Sequence, residues 1–369
     1  MRVKLSDITH YSKGSQINRE DLIDTGEYIY LNGGINPSGR WTASNVDANT
    51  ITISEGGNSS GYINYITEPF WCGAHCYYLF DGPKNTKYLY YALKSQQERL
   101  FAIRSGACMP NIKKADLGKF EFEFDYDEKK QDEVVSVLSS TENIINNRKK
   151  ELEKLDELIR ARFVEMFGHQ SHNEKSLPYM TINDVAEIYL GITHTPTYVE
   201  DGVMFISAKN TSGDFLDLSD VKYISREEFE NAPKGSKPQV NDVLFSRVGS
   251  NLGHPVILRE NLELCTFVSL GFLRTKGKVT SNYLKHWMRD DFFAKQVSEH
   301  VKGGGQPNLN TGWLKEFKII VPDLEQQKEF DVFCEQTDKS KFQKYNATIL
   351  SHNIYIYSKP EGGSYANQL

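Results

Sequence analysis

The stretch EKKQDEVVSVLSSTENIINNRKKELEKLDELIRARFVEMF, residues 128–167, contains neither proline nor glycine. Its apolar residues recur with a heptad spacing, in one mostly apolar row and one weaker row. The stronger row comprises Gln131, Leu138, Ile145, Leu152, Ile159 and Met166. We therefore predict one helix from about 127 to 167 that buries a narrow stripe against a single partner helix. The alternative is an ordinary amphipathic helix that lies on its own domain.

Composition limits the class of protein to which the chain can belong. Its 369 residues, 39% of them hydrophobic, suffice for roughly two or three domains with their own cores. An apolar run of about 18 residues and a secretory signal are both missing, so we expect a cytoplasmic protein without a membrane span. The five scattered cysteines indicate reduced thiols. A net charge of -6 counts against a lone nucleic-acid binder, because Lys and Arg normally neutralise the phosphates.

The sequence repeats itself on either side of the long helix. Residues 106–124 align without a gap with residues 303–321, so that the Pro-Asn pair at 110–111 matches the pair at 307–308. The other matched blocks are LSDI at 5–8 with INDV at 182–185, EYIYLN at 27–32 with VMFISA at 203–208, and the helical stretches that begin near 87 and 282. Because the blocks keep one order, they predict two tandem copies of a globular module followed by a helix.

Motifs of the common enzyme classes are missing from the sequence. The glycines at 303–305 are followed by Gln-Pro and therefore do not form a phosphate-binding GxxxxGK[ST] loop. Cys72, His75 and Cys76 are too few for a structural zinc site, which needs four ligands. The sequence therefore favours a protein that binds over a protein that catalyses.

Two glycine-flanked polar loops recur at equivalent places in the two copies. SEGGNSSGYI at 54–63 and SRVGSNLGHPVI at 246–257 place short polar side chains between strand-like runs, where a ligand can approach closely. Among these residues, Arg247 suits a guanine edge and Asn251 an adenine edge. A second repeated loop carries basic and amide side chains, although its Pro-Asn pair also fits a tight turn. The candidate DNA-binding residues are Arg40, Asn58, Ser59, Arg104, Lys113, Lys114, Ser246, Arg247, Ser250, Asn251, Lys302, Gln306, Asn308 and Asn310.

The succession of these parts resembles the specificity subunit of type I restriction-modification systems. The resemblance covers residues 1 to about 343 and depends on the repeated layout and on three segments. These are NDVLFSRVGSNLGHPVI at 241–257, GGGQPNLNTGWLKEFKIIVPDLEQQKEF at 303–330 and RARFVEMFG at 160–168. It implies an α+β fold with two tandem mixed α/β target recognition domains. Long helices that pair as an antiparallel coiled coil separate these domains and give an internal pseudo-two-fold repeat.

The resemblance also implies the domain boundaries. The domains are a first target recognition domain at 1–126, a central helix at 127–167, a linker at 168–178, a second target recognition domain at 179–322, a shortened second helix at 323–348 and an irregular tail at 349–369. The expected helix-pairing residues are Leu138, Ile145, Leu152, Leu155, Ile159, Phe330 and Phe333. The tail is rich in β-branched and aromatic residues and contains Pro360. We therefore predict that the second helix ends near Tyr345 to Leu350.

The same resemblance implies a DNA-binding protein of a restriction system that has no catalytic residues. Each domain would read one half of a bipartite, asymmetric double-stranded DNA target, and the helices would space the domains and dock methyltransferase (modification) subunits. Restriction subunits would join this core. S-adenosylmethionine, ATP and magnesium are expected on the partner subunits, and no cofactor or metal on this chain. The alternatives are an unrecognised methyltransferase or nuclease site, or a two-headed protein-binding scaffold.

Overall fold

The computed structural model describes residues 1–106, 108–249, 251–300 and 307–357, with side chains described as far as Lys344. The chain divides into two compact units. Unit 1 contains Met1–Lys150 with the part of the chain from Tyr345, and unit 2 contains Glu151–Lys344. Among the described residues, we find no helix that combines the length and the apolar character needed to span a bilayer.

Unit 1 combines short strands with short helices and the start of one long helix. Its strands are β1 (Arg2–Lys4), β2 (His10–Lys13), β3 (Tyr28–Leu31), β4 (Gly39–Trp41), β5 (Thr50–Ser54), β6 (Ile63–Ile66), β7 (Phe70–Cys72), β8 (Cys76–Phe80) and β9 (Glu121–Glu123). Its helices are α1 (Leu5–Ile8), a 3-10 turn (Arg19–Asp21), α2 (Thr86–Lys94), α3 (Gln97–Ala102), α4 (Lys114–Gly118) and the beginning of α5 (Glu128–Phe167). An antiparallel sheet has the order β2-β8-β5-β6; β3 pairs with β4 and, in parallel, with β7; and β1 pairs with β9.

Unit 2 repeats the main order of elements of unit 1 and adds a short strand and a short helix. Its strands are β10 (Tyr179–Thr181), β11 (Ala186–Leu190), β12 (Tyr198–Val199), β13 (Val203–Ile206), β14 (Lys222–Ile224), β15 (Val243–Ser246), β16 (Pro255–Ile257), β17 (Leu264–Thr266), β18 (Leu270–Thr275) and β19 (Lys318–Ile320). Its helices are the end of α5, α6 (Ile182–Val185), α7 (Arg226–Asn231), α8 (Ser281–Trp287), α9 (Asp291–His300), α10 (Thr311–Glu316) and α11 (Leu324–Tyr357), with 3-10 turns at Ala208–Thr211 and Lys234–Ser236. The sheets have the orders β11-β18-β15-β16 and β12-β14-β13-β17, and β10 pairs with β19.

The strand pairings confirm that the chain is built from two copies of one module. The β1-β9 pair of unit 1 corresponds to the β10-β19 pair of unit 2, and each unit has one antiparallel four-stranded sheet of the same connectivity. Each unit also pairs two strands in parallel, β3 with β7 and β13 with β17. The predicted α+β class with tandem mixed modules is therefore confirmed.

Each module buries a helix against its main sheet. In unit 1 the side chain of Asn85 accepts a hydrogen bond from the Tyr88 amide at 3.0 Å and so caps the N-terminus of α2. The following helix buries Leu89 and Leu93 in a core that also contains Ile51 and Ile53 of β5. In unit 2, Thr280 caps α8 in the same way, with a bond from the Tyr283 amide at 3.2 Å. In each module the capped helix places its apolar face against the main sheet, and this contact fixes the helix and the sheet relative to each other.

The long helix predicted at about 127–167 is α5, which comprises Glu128–Phe167. Within unit 1 its residues Leu138 and Ile145 form a buried cluster with Tyr91 of α2. The sequence predicts contacts of these two residues with the second long helix, whose side chains after Lys344 lie outside the described part of the chain, so this pairing stays a prediction. A heptad row shows which residues are buried but not what covers them, which is why the periodicity could not reveal the contact with α2.

The second long helix is longer than the sequence predicts. Helix α11 runs from Leu324 to Tyr357, so the predicted end near Tyr345 to Leu350 and the irregular tail are wrong for residues 349–357. β-branched and aromatic residues lower helix propensity by only a few tenths of a kcal/mol each, roughly, which does not end a helix. Pro360 is the first proline or glycine after residue 323. Residues 358–369 lie outside the described part of the chain.

Candidate nucleic-acid interface

The glycine loop of unit 1, residues 54–62, is held in shape by four main-chain hydrogen bonds. Amide N–H groups donate from Ser54 to the Tyr62 carbonyl (2.9 Å), from Gly61 to Ser54 (2.7 Å), from Glu55 to His75 (2.8 Å) and from Ile112 to Glu55 (2.9 Å). Gly61 has a φ of +84°, and a Cβ there would lie 3.0 Å from Ile112 Cδ1. The loop is therefore joined to the β7-β8 turn and to the segment before α4.

The glycine loop of unit 2, residues 246–254, has the same four bonds at the equivalent positions. Amide N–H groups donate from Ser246 to the His254 carbonyl (3.2 Å), from Gly253 to Ser246 (2.7 Å), from Arg247 to Ser269 (2.9 Å) and from Leu309 to Arg247 (2.8 Å). Gly253 has a φ of +77°, and a Cβ there would lie 2.6 Å from the Phe293 ring. We call the two sets of bonds the loop frames; the frames are alike although most side chains in them differ.

The predicted residues of unit 1 divide between frame contacts and exposed groups. Ser59 donates from its hydroxyl to the Gly33 carbonyl at 2.6 Å. Arg104 donates to the Ser60 carbonyl at 2.7 Å and places its guanidinium 3.9 Å from the Phe101 ring centre. Asn58, Lys113 and Lys114 have exposed side chains. The structure therefore brings Asn58, Ser59 and Arg104 to one loop.

Arg40 lies on β4, in the other sheet of unit 1. Its guanidinium donates to the carbonyl of Gly26 at 2.5 Å and to that of Glu27 at 2.6 Å. These bonds fix the turn before β3, and a part of Arg40 in DNA binding stays a prediction.

Arg247, the predicted guanine reader of unit 2, is half-buried and donates to protein acceptors. Its guanidinium reaches the Val268 carbonyl at 3.0 Å, the Leu309 carbonyl at 3.3 Å and Asn308 Oδ1 at 3.4 Å. Burial lowers the pKa of Arg247 from its ordinary value. This side chain thus ties the glycine loop to two neighbouring segments.

The other predicted residues of unit 2 have different environments. Ser246 is buried and donates to the Val248 carbonyl at 3.3 Å. Asn251 is exposed in the glycine loop, whereas Asn310 caps α10 by accepting a bond from the Gly312 amide at 2.7 Å. Ser250, Lys302 and Gln306 lie outside the described residues.

A polar cluster in unit 1 was not found by sequence reasoning. Glu55 Oε1 lies 2.7 Å from Lys13 Nζ, and Glu55 Oε2 lies 3.2 Å from His75 Nδ1. The His75 amide also donates to Asn32 Oδ1 at 3.1 Å. These residues lie far apart in the sequence and close together in the fold. One sequence signal marks this position. Lys13 and Leu190 each directly precede a glycine, so the two modules carry different residues at equivalent places.

The end of α5 and the beginning of α11 pack against each other inside unit 2. The Phe330 ring lies 5.5 Å from the rings of both Phe163 and Phe167, and Lys344 Nζ lies 2.6 Å from a carboxylate oxygen of Glu151. Because high numbers on one helix meet low numbers on the other, this contact is antiparallel. Of the predicted pairing residues, Ile159 and Phe330 are buried in this core, Phe333 packs against it, and Leu152 and Leu155 are half-buried. The spacing of four residues from Ile159 through Phe163 to Phe167 is the signal that would have found the two missed phenylalanines.

Buried charges join the same helices to the module of unit 2. Lys341 of α11 is buried and contacts Asp156 of α5, at 2.6 Å, and Asp214 of the β13-β14 connection. Arg289, just after α8, places its Nη2 2.6 Å from Asp214 Oδ1. Burial alone would raise the pKa of Asp214, but Arg289 and Lys341 lower the pKa well below its ordinary value.

The described residues contain no group of three or more His, Cys, Asp and Glu side chains placed to hold a metal ion. The chain thus contains two copies of one mixed α/β module, each with a glycine loop on the same frame and each followed by a long helix. Residues 1–155 and 175–349 match the family model of the type I restriction modification DNA specificity domain, and the chain belongs to this family.

Two Mycoplasma proteins and one crystal structure are similar to this chain. A Mycoplasma genitalium protein described as a type I specificity subunit is 36% identical over 138 residues, which are 37% of this chain and 36% of the relative. A similar protein of Mycoplasma pneumoniae is 38% identical over 116 residues, 31% of each chain. The chain thus matches about a third of the length of these curated relatives. The crystal structure of a type I restriction-modification S subunit from M. genitalium has the same fold, with a TM-score of 0.61, 21% identity and coverage of 98% of this chain and 96% of that one.

Proposed function

We propose that this chain is the DNA sequence-specificity subunit of a type I restriction-modification complex and has no catalytic centre. Each module reads one half of a bipartite, asymmetric double-stranded DNA target, and the long helices set the distance between the halves. The observation that carries this proposal is the pair of glycine loops, which share four main-chain hydrogen bonds and differ in their side chains. A constant frame with variable polar groups is what two different half-sites require, because base edges are distinguished by donors and acceptors.

The proposed partners explain the acidic composition of the chain. Modification subunits dock on the long helices, bind S-adenosylmethionine and methylate DNA, and restriction subunits supply the ATP- and magnesium-dependent steps. With a net charge of -6, this chain contributes base contacts while its partners supply much of the phosphate neutralisation. The complex acts in the cytoplasm, and this subunit itself needs no cofactor.

Methylome sequencing of cells that express this chain with its modification subunit tests the proposal. We expect one methylated motif made of two short specified sequences separated by an unspecified spacer of fixed length. Cells that express the modification subunit alone are the control and should lack this motif. An unchanged methylome, or a motif without a spacer, would contradict the proposal.

Arg247→Met is expected to weaken recognition of one half-site. The change removes the guanidinium donors from the Val268 and Leu309 carbonyls and loosens the attachment of the glycine loop. Because lost bonds to a charged donor amount to about 1.5–3 kcal/mol, the affinity for the complete target should fall about tenfold or more. Titration of labelled target duplex with the assembled complex measures this. Arg226→Met, which removes an exposed arginine paired with Glu263, is the matched control and should leave the affinity unchanged.

Ile144→Glu is expected to weaken binding of the modification subunit. Val137 and Ile144 occupy one face of α5, seven residues apart, and their side chains are 52% and 50% exposed. A carboxylate placed in an apolar contact loses its hydration, so association of the two subunits should weaken about tenfold, as measured by titration. The free energy of unfolding should change by less than about 0.5 kcal/mol, because the site is exposed. Asn146→Glu, at an exposed position on the other side of α5, is the control; equal weakening by both changes would exclude this docking face.

A further inference from the structure

The two loop frames carry different chemistry at three equivalent positions. The main-chain bonds match Glu55 with Arg247, and the turn carbonyls that accept from them match His75 with Ser269. At the ends of β2 and β11, the amides of Gly14 and Gly191 each donate at 3.3 Å to the first residue of the next sheet strand. The residues before these glycines are Lys13 and Leu190. Unit 1 therefore has Lys, Glu and His where unit 2 has Leu, Arg and Ser.

In unit 1 the three side chains are arranged with the carboxylate inside and the donors outside. The side chain of Glu55 is 17% exposed, whereas those of Lys13 and His75 are 42% and 61% exposed. The carboxylate contacts both donors, at 2.7 Å and 3.2 Å. Burial alone would raise the pKa of Glu55, but hydrogen bonds from Lys13 and His75 lower the pKa below its ordinary value, so the group is ionised. Two exposed nitrogen groups are thus held in place beside the glycine loop.

Unit 2 presents no such pair at the same positions. The guanidinium of Arg247 is directed to the carbonyls of Val268 and Leu309, inside the frame. Ser269 accepts a hydrogen bond from the Ala208 amide at 3.3 Å, and Leu190 is a half-buried aliphatic residue. The difference between the modules at this place is therefore a difference in the hydrogen-bond donors offered to a ligand.

We propose that Lys13, held by Glu55 beside His75, donates to the acceptor edge of a guanine in the half-site recognised by unit 1. This inference rests on the proposed function and assigns the residues that make that half-site different from the other. The major-groove edge of guanine presents two acceptors, O6 and N7, and lysine is a known donor to this edge. The charge of Glu55 offsets that of Lys13, so the cluster attracts phosphate weakly and contributes more to the choice of base than to general affinity. Glu55 and His75 are positioning residues, because both act through Lys13.

The test is selection of duplexes from a pool of random sequence by the full chain assembled with its modification subunits. Lys13→Leu and His75→Ser each introduce the residue that unit 2 has at the equivalent position. We expect wild type to select a split motif with a guanine in one half-site. Lys13→Leu should lower the preference for that guanine about tenfold, with a smaller loss for His75→Ser and Glu55→Gln. The other half-site should stay unchanged in every variant, which also shows that the variants are folded.

Lys84→Leu is the matched control for the loss of one positive charge from unit 1. Lys84 is 87% exposed and lies 3.6 Å from Glu128, so its removal should leave the selected motif unchanged. A split motif in wild type that persists unaltered in Lys13→Leu would overturn the inference while the proposed function stands. So would a uniform loss of affinity for all duplexes, which indicates a phosphate contact. Selection of no motif by wild type would overturn the proposed function, and this inference with it.

Discussion

Lys341→Met is expected to lower the free energy of unfolding by about 3 kcal/mol, because it removes one partner from a buried set of charges. Lys341 is 1% exposed and contacts the carboxylates of Asp156 and Asp214. Methionine fills a similar volume but leaves both carboxylates without that ammonium group. Arg289 still pairs with Asp214, and Asp156 is 31% exposed, so the loss should lie at the low end for a broken buried pair. Chemical denaturation at pH 7 measures the change.

Lys339→Met on the same helix is the control for this prediction, because Lys339 is exposed and its replacement should change stability by less than about 0.5 kcal/mol. The acid dependence gives an independent check. The pKa of Asp214 is lowered in the folded state, so its stabilisation is present above its unfolded pKa, about 3.9, and is lost as the pH falls through the folded value. The difference between wild type and Lys341→Met should therefore shrink below about pH 4. A constant difference at all pH values would show that packing, and not charge, is the cause.

Phe330→Ala is expected to lower the free energy of unfolding by about 3–5 kcal/mol, the range for removing a fully buried aromatic ring. The Phe330 side chain is 0% exposed, and its ring lies 5.5 Å from those of Phe163 and Phe167 and 5.4 Å from that of His286. The change therefore opens a cavity where α5, α8 and α11 meet. Denaturant titration of the purified chain gives the measurement.

Val332→Ala provides the comparison on the same helix. Val332 is 56% exposed, so the truncation should alter stability by less than about 0.5 kcal/mol. If Phe330→Ala were equally mild, the two helices would not depend on this contact. That result would contradict the antiparallel packing described for unit 2.

The repeat and its register could be predicted from the sequence because matching residues recur in both copies. The gapless match of 106–124 with 303–321 pairs Asn111 with Asn308, and each forms a bridge to its own glycine loop, with Gly56 and Val248 respectively. The tight-turn alternative for the Pro-Asn loop also has support, since the Asn111 amide and carbonyl both bond to Ser105 at 2.8 Å. Patterns of this kind are local or repeated, so one sequence suffices to find them.

The contacts of single polar residues could not be predicted from the sequence. The guanidinium of Arg247 bonds to a carbonyl 21 residues away, and that of Arg40 to carbonyls 13 and 14 residues away, which no local spacing predicts. Lys13, Glu55 and His75 come together only when three strands are in place. No spacing rule links residues that meet through a sheet, so such clusters become visible only in the folded structure. Candidate contacts such as Asn58 and Asn251 are exposed, and their part in base reading stays a prediction.

The main-chain bonds of the loop frames tolerate mutation of the exposed side chains. These bonds join amide and carbonyl groups, which nearly every amino acid carries, so mutation can exchange the exposed side chains without dismantling the loop. Under the proposed function, substitution of exposed loop residues can therefore change the donors and acceptors offered to DNA while the loop keeps its shape. The two copies in this chain already differ in this way, with lysine at position 13 and leucine at the equivalent position 190.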